Sequence, residues 1–112
     1  MVESLREKQS RFALMVAQLI MDASVMGYEV TLGEAWRTPE QAALNAKKGS
    51  GIKRSLHCDR LAIDLNLYQG GVWLSKSEDH KRLGERWEKL GGTWGGRFGD
   101  GNHYSLAHDG RK

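Results

Sequence analysis

Apolar side chains at Phe12, Met15 and Val16, Leu19, Ala23 and Met26 recur every three or four positions and stop at Gly27. Ahead of them stands Ser4-Leu5-Arg6-Glu7, in which the serine hydroxyl and the glutamate three residues on can satisfy two of the backbone N–H groups that open a helix. Together these features predict a long amphipathic helix over residues 4–26. The period then shortens to two. Tyr28, Val30 and Leu32 alternate with Glu29, Thr31 and Gly33, which predicts a half-buried strand that delivers Trp36 and Arg37 to its end. Thr38-Pro39-Glu40-Gln41 restarts a helix, with Thr38 as cap, Pro39 at the first helical position and Gln41 reaching back. This short helix stops before Gly49, and GSGIKR at 49–54 reads as a mobile loop.

In the second half, Leu61, Ile63, Leu65 and Leu67 mark one face of a strand, while Ala62, Asp64 and Asn66 mark the other. Gln69-Gly70-Gly71 reads as a turn into Val72-Trp73. Ser75-Lys76-Ser77-Glu78 repeats the capping pattern, and His80, Leu83, Trp87 and Leu90 form a helical stripe closed by Gly91-Gly92. The stretch from Thr93 to Leu106 is expected to be a glycine-punctuated loop entering a short strand at His103–Leu106. No repeat, linker or low-complexity block intervenes, so residues 1–112 are expected to form a single domain. Few strands, helices of unequal length and no regular βαβ alternation predict an α+β fold with a small, mostly antiparallel sheet flanked by helices.

Composition narrows the function classes. A chain of 112 residues can bury about two thirds of its unfolded surface, so it needs no disulfide framework. The single cysteine, Cys58, suits a reducing compartment, and with no secretory pattern at the N-terminus the chain reads as cytoplasmic when made. FALMVAQLIM at 12–21 contains Gln18 and falls well short of the roughly 20 residues of a membrane span. Seventeen Lys and Arg against fourteen Asp and Glu give a charge of +3 and a pI near 9.2, which favours acidic partners. The basic pairs Lys47–Lys48, Lys53–Arg54 and Arg111–Lys112 read as solvated surface; a nucleic-acid footprint would be denser, so no nucleic-acid partner is expected.

The chemistry centres on Asp64. Its face opposes the leucine face of its strand, so alone it is either a solvated polar position or a group serving a site. His57 lies just upstream, and His103 opens a strand directly after four glycines between Gly95 and Gly101. Two imidazoles and one carboxylate are ligand types that hold a catalytic zinc and leave a position for water. The other candidates read differently: His80 as a packed histidine in its helical stripe, His108 as solvated, and Cys58, on an extended chain, as a small buried residue facing away from His57. Spacing alone leaves the metal site and a merely structural role open.

Ser55-x-His57-x6-Asp64, followed by Trp94-Gly95-Gly96 and Asp100-x-x-His103-Tyr104, resembles the zinc peptidases of the D-alanyl-D-alanine carboxypeptidase and L-alanyl-D-glutamate endopeptidase family, which share the Hedgehog-type fold and cut peptidoglycan stem peptides. Arg37-Thr38 with Gln41 is similar to the family's arginine at the end of its first strand, so the likeness runs from about Tyr28 to Leu106. The resemblance implies His57, Asp64 and His103 as ligands of one zinc per chain and Asp100 as the general base. It implies Arg37 as the cation for a substrate carbonyl or carboxylate, and Ser55 as a hydroxyl near the substrate backbone. Asp100 also has a turn-forming alternative, Arg37 a surface pair with Glu34 or Glu40, and Ser55 a loop role. Trp94 and Tyr104 are candidates for the cleft wall or for the core.

One departure stands out: the family pattern has glycine where this chain has Arg60. A positive φ there would cost arginine about 1–2 kcal/mol or force a differently shaped loop, and its charge would face an acidic peptide. The resemblance implies a zinc peptidase acting on peptidoglycan stem peptides, most simply an L-alanyl-D-glutamate endopeptidase of the phage endolysin branch. Such an enzyme would be a monomer made in the host cytoplasm and acting on the wall in the periplasm after release. The alternatives are a D-alanyl-D-alanine carboxypeptidase or dipeptidase, and a non-catalytic wall-binding module that keeps the metal site.

Overall fold

The structure of the chain, a computed structural model, describes residues 2–49 and 55–112. The loop expected over 49–54 and the Lys53–Arg54 pair therefore lie, apart from Gly49, outside the described residues. The first element is α1 (Leu5–Val25), whose opening is as the sequence requires: the Ser4 hydroxyl accepts from the Glu7 N–H at 3.1 Å and the Glu7 carboxylate from the Ser4 N–H at 2.9 Å. Its buried residues, Phe12, Val16, Leu19 and Ala23, are the predicted stripe. Strand β1 (Glu29–Leu32) and helix α2 (Pro39–Lys47) follow. Thr38 caps α2 by accepting from the Gln41 N–H at 3.0 Å, but the Gln41 side chain does not reach back; it donates to Asn45 Oδ1 at 2.7 Å, one turn on.

A 3-10 turn over Leu56–Asp59 leads into the long strand β2 (Ala62–Gln69), which hairpins into β3 (Val72–Trp73). The segment around His57 is thus not extended. A second 3-10 turn, Ser77–His80, runs into α3 (Lys81–Lys89). Its cap is displaced one residue from the predicted one: the Asp79 carboxylate accepts from the Lys76 N–H at 3.0 Å. The Ser77 hydroxyl is occupied elsewhere, donating to the Gly99 carbonyl at 3.1 Å and accepting from the Gly101 N–H at 2.9 Å. Thr93–Trp94, expected as loop, is a strand, β4, because it pairs with β5 (His103–Ser105) across an intervening 3-10 turn at Gly95–Phe98. A two-residue strand carries no alternation to read.

The fold is α+β. Among the described residues the five strands form one antiparallel sheet in the order β1-β2-β5-β4, with β3 on the end of β2. Strand β2 changes partner along its length, pairing Ala62, Ile63 and Asp64 with β5 and Leu65 to Tyr68 with β1. Leu61, Ile63, Leu65 and Leu67 face α1 and α3, where Leu19, Leu61, Leu65, Leu67 and Leu83 have no exposed surface. Each such burial stabilises by roughly 1.5–3 kcal/mol. Trp87 sits at the centre: Phe12 packs edge-on at 5.7 Å, Tyr104 at 6.1 Å, and the indole N–H donates to the Ser105 and Thr93 carbonyls. No helix among the described residues is long and apolar enough to cross a membrane.

The C-terminal tail, expected to be solvated, is pinned. Arg111 pairs with Asp59 at 2.7 Å, and Lys8 Nζ reaches the Ala107 carbonyl at 2.6 Å and His108 Nδ1 at 3.2 Å. Lys47 and Lys48 are exposed, as read.

Candidate metal centre

The face of β2 turned away from the helices carries Asp64. Directly across the ladder stands His103 of β5, and opposed residues on one face bring their side chains together. His57 arrives from the 3-10 turn, whose first N–H groups need a cap. Ser55 supplies it: its buried hydroxyl accepts from the His57 N–H at 3.2 Å. The Arg37 and Arg60 N–H groups both donate to the His57 carbonyl at 3.3 Å. With the main chain of His57 held on three sides, Nε2 lies 3.3 Å from Asp64 Oδ1, and His103 Nδ1 lies 3.5 Å from the same oxygen. The ligand-type atoms of His57, Asp64 and His103 all fall within 4.8 Å of one another, and no second such cluster occurs among the described residues.

Asp64 itself is clamped by its backbone. Its N–H donates to the Glu34 carbonyl at 2.9 Å, its carbonyl accepts from the Gly33 N–H at 2.8 Å, and the next N–H, of Leu65, donates to the Asn102 carbonyl at 2.9 Å. The approach at Gly33 admits no side chain, since a Cβ there would stand 2.9 Å from the Asp64 carbonyl oxygen. Burial works against ionisation of the Asp64 carboxyl, but hydrogen bonds from His103 and His57 and their charges outweigh it and hold the group down at about 2. At neutral pH it is an anion, as a metal ligand must be.

Asp100 lies outside the cluster yet beside it, with Oδ2 3.9 Å from His103 Nδ1 and the side chain 56% exposed. A tight turn puts it there: the Asp100 N–H donates to the Gly95 carbonyl at 2.9 Å, and the His103 N–H donates to the Asp100 carbonyl at 3.1 Å. Gly95 is the small residue this turn needs, because a Cβ would collide with the Asp100 carbonyl and approach His103 Cβ to 2.8 Å. Asp100 also lines a cleft of about 220 Å³ with Asn66, Trp73, Lys76 and Asn102.

Arg37 reaches the site and is mostly buried, but Glu34 already engages it: Arg37 Nε donates to Glu34 Oε1 at 2.7 Å, and a second guanidinium nitrogen meets the same oxygen. Three expected substrate contacts are otherwise employed. The Ser55 hydroxyl is buried in the cap of His57. Tyr104 has no exposed surface, and its hydroxyl meets His80 Nδ1 at 2.7 Å. Trp94 is 4% exposed and donates to the Gly101 carbonyl at 2.7 Å. The reason is the period of a strand: His103 faces the site, so Tyr104, and Trp94 opposite it, face the core.

His80 is packed, as expected; burial pushes its imidazole below its ordinary value and the Tyr104 hydroxyl up. Cys58 is not part of the His57, Asp64 and His103 cluster; its thiol lies 3.9 Å from the Thr38 carbonyl and is pushed up by burial. The Arg60 loop keeps the shape a glycine would take. Arg60 adopts φ 56° and ψ 36°, and its guanidinium lies 4.7 Å over the Trp36 ring.

Sequence reasoning missed Glu34 as part of the centre, treating it only as a surface partner of Arg37, and missed Trp73 and Asn66 as cleft residues. Asn66 carried a signal, since it follows Asp64 on the same strand face. The donor set fits zinc: two imidazoles and an ionised carboxylate converge, with a neighbouring carboxylate kept outside. A family model described as D-alanyl-D-alanine carboxypeptidase matches residues 48–106, a span that holds His57, Asp64, Asp100 and His103. Comparison with curated proteins finds no match to the chain.

Proposed function

The chain belongs to the D-alanyl-D-alanine carboxypeptidase family, and from that premise we propose that it is a zinc peptidase that hydrolyses an amide bond in peptidoglycan stem peptides, with the L-alanyl-D-glutamate bond as its target. The observation that carries this reading is the convergence of His57, Asp64 and His103 with Asp100 beside them but outside the cluster. A structural zinc would need a fourth protein ligand and no adjacent base, which argues against a silent wall-binding module.

Bound at this donor set, zinc would supply Lewis acidity, which raises the acidity of water and polarises a carbonyl. Asp100 takes the proton of the attacking water and delivers it to the departing amine, a task its exposed, turn-held carboxylate can reach. Arg37, oriented by Glu34, offers its remaining N–H groups to the scissile carbonyl oxygen as negative charge develops. Because Glu34 already balances its charge, Arg37 suits a neutral carbonyl better than a terminal carboxylate, which favours an endopeptidase over a carboxypeptidase. The cleft with Asn66 and Trp73 gives the peptide a second run of contacts beyond Asp100. The net charge of +3 favours approach to a wall polymer rich in carboxylates. We place this activity in a monomeric phage lysis enzyme, made in the host cytoplasm and acting in the periplasm.

Mass spectrometry of muropeptides digested with the zinc-loaded protein tests the assignment. Separation of L-alanine from D-glutamate is expected; release of terminal D-alanine alone would replace the endopeptidase reading by the carboxypeptidase one. Full activity after exhaustive chelation, with no metal detectable, would refute the zinc reading.

A further inference from the structure

Nδ1 of His57 is buried and has no hydrogen-bond partner. The ring's other nitrogen, Nε2, faces Asp64, so an imidazole that coordinates through Nε2 carries its proton on this orphaned Nδ1. A buried N–H without an acceptor is destabilising, and ligating histidines ordinarily give their second N–H to a carboxylate or carbonyl, which fixes the tautomer and the ring. One carboxylate is in place: Glu34 Oε1 lies 3.7 Å from His57 Nδ1.

Glu34 is not there by accident of a long side chain. Its carbonyl accepts the Asp64 N–H, one residue beyond the Gly33 contact that seats the Asp64 carbonyl, so the main chain at 33–34 holds one ligand while the side chain of Glu34 points at another. The same Oε1 holds Arg37, whose N–H donates to the His57 carbonyl and so closes a ring of contacts through Glu34, Arg37 and His57.

We infer that Glu34 is the positioning residue of the metal centre: its carboxylate closes onto His57 Nδ1–H, sets Nε2 toward Asp64 and His103, and ties the ligand to Arg37. This rests on the zinc reading above and adds to it a residue outside the ligand set and outside the span of the family match. Arg37 draws on the same oxygen, so the two donors share one acceptor, and closure onto His57 requires a shift of the carboxylate of about 1 Å to reach ordinary hydrogen-bond distance.

Zinc affinity measured by competition with a chromogenic chelator, on the full chain and on Glu34→Ala and Glu34→Gln, tests the inference. Glu34→Ala is expected to bind zinc about 10–100-fold more weakly than the parent, with one zinc still bound at saturation; loss of the Arg37 partner lowers its metal-free melting temperature in any case, so affinity is the readout. Glu34→Gln keeps an acceptor oxygen without the charge and is expected to fall between them. In zinc-loaded protein, long-range nitrogen NMR should show a protected His57 Nδ1–H that exchanges rapidly in Glu34→Ala. Parent affinity in Glu34→Ala, whatever its metal-free melting temperature, would overturn the inference and leave the zinc reading intact. A parent that binds no zinc would overturn both.

Discussion

Asp100→Asn removes a proton-accepting oxygen and keeps what the turn requires. The main chain at this residue is held by the Gly95 carbonyl and the His103 N–H, neither of which involves the side chain. With the side chain 56% exposed, its replacement by a neutral amide of the same size should change stability by no more than about 0.5 kcal/mol, or about 2 °C in melting temperature. Asp100 is outside the His57, Asp64 and His103 cluster, so zinc should remain at one per chain. The rate is another matter. A positioned general base contributes about 10²–10⁴-fold, equivalent to about 3–5 kcal/mol of transition-state stabilisation. The expected loss in activity therefore exceeds the expected loss in stability at least about fivefold in energy, and the two cannot be confused. Muropeptide turnover, zinc content and melting temperature, measured on one preparation, decide the matter. An Asp100→Asn protein that cleaves at the parent rate would show Asp100 to be a turn former only. One that loses zinc would make it a ligand and demote one of the other three.

Arg37→Ala is expected to keep its zinc and to lower kcat more than it raises KM, because the charge it meets grows in the transition state, and Arg37→Lys should restore only part of the rate; unchanged steady-state kinetics would return Arg37 to a purely structural pair with Glu34. At position 60, Arg60→Gly should melt several degrees above Arg60→Ala, since both lose the contact with Trp36 but only glycine escapes the cost, about 1 kcal/mol, of the left-handed backbone; equal melting temperatures would show that the loop relaxes. His80, held below its ordinary value by burial, binds fewer protons folded than unfolded. Its contribution to stability is therefore full above the unfolded imidazole value of about 6.5 and is lost as pH falls through that value toward the lower folded one. Urea midpoints of parent and His80→Gln should converge between pH 8 and about 5, and parallel curves would refute the assignment.

Much of this centre was legible because β2 is long enough to count. Leu61, Ile63, Leu65 and Leu67 on one face leave Asp64 on the other, and the structure repeats that division without change. His57 and His103 were candidates by residue type, but their spacing left a structural role equally open, and it was the family resemblance that implied them as ligands. Trp94 and Tyr104 stayed divided between the cleft wall and the core, because the motif alone does not say which way each one faces; the structure puts both in the core. Strands of two and three residues offer no alternation to decide it, although the rule that turns His103 to the site turns Tyr104 away from it. For Ser55 the structure shows the loop role that the sequence left open beside a substrate contact, because a serine before a tight turn caps it whether or not a substrate lies near.

Glu34 was hidden for another reason: nothing local relates it to His57 or Asp64, and only the register of β1 on β2 brings it to them. That register places the centre at the point where β2 passes from β1 to β5. There the backbone on either side of Asp64 is engaged from both edges, by Gly33 and Glu34 on one and by Asn102 on the other. The main chain of Asp64 can move only by breaking these hydrogen bonds, so the point from which its carboxylate projects is fixed by the sheet. Asp100, the proposed base, is carried instead on an exposed turn anchored through the backbone of Gly95 and His103. The contrast between a sheet-held Asp64 and an exposed Asp100 thus follows from where each one lies, Asp64 inside the β2 ladder and Asp100 in the turn before β5.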